Sequence, residues 1–247
     1  MREKLKMLEN MEYRKIIQKI FYPNVCPICN QVIGMNQRIC KECRDKIKIV
    51  KTPACQMCGK QLTSNNALYC QDCAKTKHEF NKGVCVFQYV EEMKLTLYRF
   101  KYDNKRCYGD FFAYVGNRKY RSKLKQWKID RIMPIPMYKG KVQQRGYNQA
   151  EEFAKYLSHY SNITLDKTSL IRVSDTKPQK GLSRSQRSSN LKNAFAIKPE
   201  TLKGVKSVLL VDDIYTTGST MDACSRLLKS AGVKDVYFMC IATGIDK

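Results

Sequence analysis

No run of apolar residues in this chain approaches the roughly 20 that a membrane-spanning helix requires; Val208 to Val211 is typical of its longest stretches. A helical integral membrane protein is therefore excluded. An export signal is lacking as well. The first twenty residues are basic and amphipathic, with neither an apolar stretch nor a cleavage site, so the expected location is cytoplasmic. Acidic residues are scarce: 22 Asp and Glu stand against 46 Lys and Arg, a formal net charge of +24. Such a charge attracts polyanions and speeds their encounter, which makes nucleic acid the favoured partner class. A small phosphorylated substrate also wants cations, and a lysine-rich composition that favours solubility carries the same charge. What the chain does have is an ordinary hydrophobic share of 43% and enough length for one good-sized domain and a small one.

Cysteine is plentiful. There are 12, and eight of them form four Cys-x-x-Cys pairs: Cys26 and Cys29, Cys40 and Cys43, Cys55 and Cys58, Cys70 and Cys73. Without an export signal, this pattern reads as metal binding rather than a disulfide framework. Each pair presents two thiolates on one side of a tight knuckle, and two pairs complete a tetrahedral zinc site. Four pairs imply two structural Zn2+ ions, which replace the core that so short a segment cannot build alone. Spacing does not decide whether neighbouring or crossed pairs share a metal; neighbouring pairs are favoured. Neither His78 nor His159 is needed as a ligand, and closed four-thiolate sites leave no position open for catalysis. The isolated Cys85, Cys107, Cys224 and Cys240 read as buried structural thiols.

The chain is expected to divide into an amino-terminal helix at 1–22, a double zinc-ribbon module at 23–82 and an α/β domain at 83–247. Strand-like Val84 to Tyr89, helical Met93 to Tyr102, a short buried strand from Arg131, a helix over Asn148 to Tyr160, a strand at Val208 to Val211, a helix over Thr220 to Ala231 and a strand at Val236 to Ile241 follow in turn. Alternation of this kind predicts a Rossmann-like parallel sheet. Residues 174–193, rich in Ser, Lys, Arg and Gln, read as a long mobile loop.

One stretch carries the chemistry. Val208 to Val211 supply a buried strand, Asp212 and Asp213 follow at its carboxyl end, and Thr216, Thr217, Gly218, Ser219 and Thr220 lead into a helix. Open α/β sheets bind ligands at the carboxyl ends of their strands. Small hydroxyl residues around a glycine let consecutive backbone N–H groups face an anion at a helix amino terminus. The loop suits a monophosphate, and the carboxylates suit vicinal sugar hydroxyls.

This segment resembles the signature of the type I phosphoribosyltransferases, which bind 5-phosphoribosyl-1-diphosphate. More narrowly, the chain resembles the ComF/GntX family over essentially its whole length. The likeness rests on the doubled cysteine repeat, Arg99 to Tyr102, Pro134 to Pro136, Arg145 to Gln149, Thr176 to Gln179, Leu182 and Ser183, Arg187, Asn190 and Leu191, Ala194 and Phe195, and the 208–220 motif. The resemblance implies catalytic Asp212 and Asp213 on the ribose hydroxyls, a 5-phosphate cradled by Thr216 to Thr220, and a pyrophosphate loop with Tyr138, Lys139 and Arg145. It also implies a lid at 174–193, Mg2+ bound with the phosphoribosyl diphosphate, and substitution at the sugar C1 carbon through an oxocarbenium-like transition state.

The family's members that use 6-oxopurines typically have an aspartate where Thr216 stands, which disfavours hypoxanthine or guanine as acceptor. The resemblance further implies a role in natural transformation, with single-stranded DNA as a partner and a ComFA-like helicase as another. Tyr98, Tyr102, Tyr138 and Tyr147 are candidates for stacking on bases. A metabolic phosphoribosyltransferase of unknown acceptor, or a non-catalytic ligand sensor, is the alternative.

Overall fold

A computed structural model describes residues 23–174 and 193–246; the expected helix at 1–22 and nearly all of the expected lid lie outside them. The chain forms two compact units, residues 1–47 and 48–247.

In the first unit, the knuckle around Cys26 is closed by its N–H donating to the Gln31 carbonyl at 2.8 Å, while Asn30 donates back to the Cys26 carbonyl at 2.8 Å. Asn30 takes the left-handed conformation, φ 62°, that reverses the chain. The core is small, consisting of Cys26, Ile28, Ile33 and Cys43, too little apolar burial to hold a fold without a metal.

The second ribbon repeats this geometry in the second unit. Cys55 N–H donates to the Lys60 carbonyl at 2.8 Å and Gly59 N–H to the Cys55 carbonyl at 2.9 Å, with Gly59 at φ 74° in the role of Asn30. Here only glycine fits, because a Cβ would lie 2.7 Å from the Val84 backbone. The knuckle packs directly on the sheet: Gly83 N–H donates to the Met57 carbonyl at 2.7 Å. Cys55, Cys58, Leu62 and Cys70 join the main hydrophobic core with Phe80, Tyr215 and Phe238. The second ribbon is thus part of the α/β unit's interior.

The sheet is built from β1 (Lys82–Gln88), β2 (Arg131–Pro134), β3 (Thr164–Leu165), β6 (Ser207–Tyr215) and β7 (Asp235–Thr243), all parallel, in the order β1-β7-β6-β2-β3. A separate antiparallel hairpin joins β4 (Leu170–Arg172) to β5 (Phe195–Ile197) and flanks the segment outside the described residues. Side chains alternate across the sheet with period two: Val208, Leu210, Val236, Phe238 and Cys240 face the core shared with the second ribbon. Leu209, Val211, Met239 and Ile241, equally buried, alternate with them along the same strands. Burial on both faces explains the unbroken apolar runs.

Besides a single turn at Gln71–Ala74 in the second ribbon, the α-helices among the described residues are α1 (Glu91–Tyr102), α2 (Tyr108–Gln126), α3 (Lys139–Arg145), α4 (Gln149–Ser161) and α5 (Ser219–Ser230). Asn148 caps α4, its Oδ1 accepting from Ala150 N–H at 3.0 Å. Three of the isolated cysteines, Cys85, Cys224 and Cys240, are buried as expected. Cys107 is not: it is exposed, because it precedes α2 at the surface instead of lying within it.

Candidate functional site

Two four-cysteine clusters form, from neighbouring pairs: Cys26, Cys29, Cys40 and Cys43 in one, Cys55, Cys58, Cys70 and Cys73 in the other. Within each, the sulfurs all lie within 4.8 Å of one another, with Cys29–Cys40 at 3.8 Å and Cys58–Cys70 at 3.7 Å. A tetrahedron with Zn–S bonds of about 2.3 Å has edges of about 3.8 Å, so both clusters fit structural zinc. Lys60, mostly buried, pairs with Asp72 at 2.9 Å beside the second cluster, where a cation also offsets thiolate charge.

The paired carboxylates sit on β6. That strand runs on to Tyr215, whereas its neighbour β2 stays paired with it only as far as Pro134 opposite Val211. Asp212 and Asp213 therefore lie just past the point where β2 leaves, inside a longer strand than the sequence indicated. Asp213 N–H donates to Asp212 Oδ1 at 2.8 Å. Burial, together with the Asp213 charge next door, pushes the Asp212 carboxyl up to about 8, although that backbone N–H and the Lys101 and Arg172 charges work the other way.

Lys101, on the last turn of α1, forms an ion pair with Asp213 at 2.7 Å. Burial opposes its charge, but the two carboxylates prevail and raise its pKa. In the sequence Lys101 stands out only as part of Arg99 to Tyr102. A separation of more than a hundred residues gave no local signal that it meets Asp213.

Past Tyr215 the chain turns through Thr216 and Thr217 to Gly218, which precedes α5 in the left-handed conformation, φ 83°. A side chain there is excluded, since a Cβ would lie 2.8 Å from Tyr215 Oη and 3.0 Å from His78 Cε1. Thr217 and Ser219 hydroxyls are 3.0 Å apart, while Thr216 is exposed and Thr217, Ser219 and Thr220 are half-buried. The loop thus has its backbone fixed from below and its hydroxyl side chains at the rim, as anion binding at a helix amino terminus requires.

The remaining candidates follow β2. Tyr138 is half-buried at the head of α3, and Lys139 is exposed on its first turn. Arg145 closes α3 and lies 4.8 Å over the Tyr102 ring, donating to Tyr102 Oη at 3.0 Å and to Gln149 Oε1 at 3.3 Å. The last turn of α1 therefore touches both halves of the site, Asp213 through Lys101 and Arg145 through Tyr102. Of the four tyrosines offered as stacking partners, Tyr98 and Tyr102 are exposed and Tyr138 is half-buried. Tyr147 is buried and donates its hydroxyl to the Phe100 carbonyl, so its ring serves the core.

Residues 17–74 match the double zinc ribbon domain family and residues 111–247 the phosphoribosyl transferase domain family. The chain is 34% identical over 209 residues to competence protein F of Haemophilus influenzae, covering 83% of this chain and 90% of that protein. It is 28% identical over 203 residues to competence protein ComFC of Bacillus subtilis, covering 80% of each. It is also 26% identical over 223 residues to the DNA utilization protein YhgH of Salmonella typhimurium, covering 89% of this chain and 96% of that one.

Proposed function

The chain belongs to the ComF/GntX family, a double zinc ribbon joined to a phosphoribosyl transferase domain, and from that premise we propose that it binds 5-phosphoribosyl-1-diphosphate and acts in DNA uptake. The carrying observation is the sequence of groups along β6 and into α5: two carboxylates held against Lys101, then a loop whose glycine is locked in the left-handed conformation ahead of a helix. In this reading Asp212 and Asp213 hold the ribose hydroxyls and residues 216–220 the 5-phosphate. Mg2+ bound with the diphosphate beside Asp212 and Asp213 would neutralise charge on it. Arg145 and Lys139 face the same diphosphate from α3, and departure of pyrophosphate leaves positive charge on C1 for an incoming acceptor. Thr216 offers no carboxylate to a purine, which disfavours a 6-oxopurine as the acceptor.

A role in DNA uptake is supported by the names of the relatives, two of them competence proteins and one a DNA utilization protein. Charge supports it as well. Along α2 the exposed side chains Arg118, Lys119, Arg121, Lys123 and Lys125 form a cationic face. Single-stranded DNA is the proposed polyanion, handled on the cytoplasmic side, with a ComFA-like helicase as the proposed protein partner.

Calorimetric titration of phosphoribosyl diphosphate with Mg2+ into the wild type and into Asp212→Ala/Asp213→Ala tests the first half. Binding to the wild type alone is expected; equal binding to both refutes the assigned site. Transformation frequency with the same double mutant tests the second half, and an unchanged frequency separates the site from DNA uptake.

A further inference from the structure

Between the second metal cluster and the phosphate loop lies a single imidazole. The side chain of His78 has no exposed surface. Its Nε2 is 3.5 Å from Cys73 Sγ, and its Nδ1 is 2.9 Å and 3.2 Å from the two oxygens of Asp222. Asp222 stands in the first turn of α5. It also accepts from Glu79 N–H at 2.8 Å, and its own N–H donates to the Gly218 carbonyl at 2.8 Å. The imidazole stacks on Phe80 at 4.5 Å and lies against Gly218 itself. One ring therefore reaches a metal thiolate with one nitrogen, the first turn of the phosphate helix with the other, and the left-handed glycine with its edge.

We infer that His78 is a positioning residue that ties the second four-thiolate site to the phosphate loop, so that the metal in that site and a phosphate on the loop sense each other. The inference rests on the reading of residues 216–220 as a phosphate loop. Groups hydrogen-bonded to a metal ligand orient it and tune the metal, and here the orienting group also clamps a binding loop. Asp222 places a negative charge near the helix terminus where phosphate would sit. Turning that carboxylate inward onto His78 and Glu79 N–H leaves the backbone N–H groups of the loop to the ligand. Tyr215 Oη borders the same glycine beside His78, and its ring stacks on Phe238 at 4.8 Å. The loop backbone thus has a rigid floor, and a shift of His78 is transmitted to it. By linkage the effect is reciprocal: phosphate binding perturbs the metal as much as the metal perturbs binding.

The test uses the full chain with both zincs replaced by cadmium-113, which gives one resonance per site, assigned through couplings to the cysteine β-protons. Calorimetry with ribose 5-phosphate runs alongside. Saturation with ribose 5-phosphate is expected to move the resonance coupled to Cys73. In His78→Asn, whose amide reaches Asp222 but falls short of Cys73, two metals stay bound. There the ligand-induced movement disappears and the dissociation constant rises about tenfold. Undiminished movement of the resonance in His78→Asn, or unchanged affinity, overturns the inference. If the wild type binds no ribose 5-phosphate, the phosphate-loop reading falls, and the bridge is decided without ligand by Asp222→Asn. That substitution is expected to move the Cys73 resonance, and a stationary resonance overturns the bridge on its own.

Discussion

On the proposed reading, the raised pKa of Asp212 makes ligand binding a proton-coupled event. In the ligand-free site burial and the Asp213 charge hold the Asp212 carboxyl near 8, so at pH 7 only about one molecule in ten carries the charge there. A carboxylate that accepts ribose hydroxyls binds best when ionised. The dissociation constant for ribose 5-phosphate should therefore fall roughly tenfold between pH 7 and pH 9 and level off above that. The ligand's own phosphate, with a second pKa of about 6, is already a dianion over this range and contributes little slope. Binding at pH 7 should release a proton, and binding at pH 9 much less of one.

Calorimetry in Hepes and in Tris, whose ionisation enthalpies differ, measures that release directly. The same linkage acts on folding with a definite sign. The folded chain keeps a proton that the unfolded chain sheds near the ordinary value of 3.8. This group's contribution to stability is therefore whole at low pH and declines as pH rises from about 4 through about 8. Asp212→Asn should bind more weakly with no pH slope. A flat profile in the wild type between pH 7 and pH 9, or an equal slope in Asp212→Asn, refutes the reasoning.

Lys101→Met removes the partner of a mostly buried carboxylate and should cost about 2–3 kcal/mol in urea denaturation. It should also move the pH midpoint of ribose 5-phosphate binding upward. Gly218→Ala forces a side chain into the left-handed region and against Tyr215 and His78; a loss of about 2–4 kcal/mol is expected, seen as a melting midpoint lowered by about 5–15 °C. Cys58→Ser breaks a cluster that belongs to the main core. Since a structural zinc contributes on the order of 10 kcal/mol, comparable to a domain's whole stability, the α/β unit should unfold cooperatively as bound zinc falls from two to one per chain, measured by chelator titration and circular dichroism.

The strands were the legible part of the fold because central parallel strands are buried on both faces and leave unbroken apolar runs, as in Val208 to Val211. The longest helix, α2, left no such mark. Its first half buries Tyr108, Phe111, Phe112 and Ala113 nearly all round, and its second half is crowded with Arg and Lys around Tyr120 and Leu124, so no single apolar stripe runs its length. The hairpin β4–β5 has three residues a side, too few for alternation to declare itself. Spacing left the sharing of the metals open, and the geometry of the knuckles closed it in favour of neighbouring pairs.

At the site, what was legible were the groups contiguous in the chain, and what was hidden were the groups that set their charge. Asp212, Asp213 and the loop through Thr220 stand in one stretch and announce themselves. Two adjacent buried carboxylates, however, cannot both ionise without a partner, and the sequence does not say how that conflict is met. The fold answers it in two ways at once, with Lys101 on Asp213 and a raised pKa on Asp212 that favours its protonated form. A ligand that brings hydroxyl donors to these oxygens changes the terms for both. Asp212 can then give up its proton, and Lys101 can turn toward the negative charge that enters with the diphosphate. The same logic places His78 under the loop, since a carboxylate at the head of α5 would repel phosphate unless something held it down. Charges that must be neutralised in the empty site therefore predict where partners from distant segments have to be: Lys101 stood in a stretch matched only as family likeness, and His78 was set aside as a metal ligand, with nothing local to join either to its carboxylate.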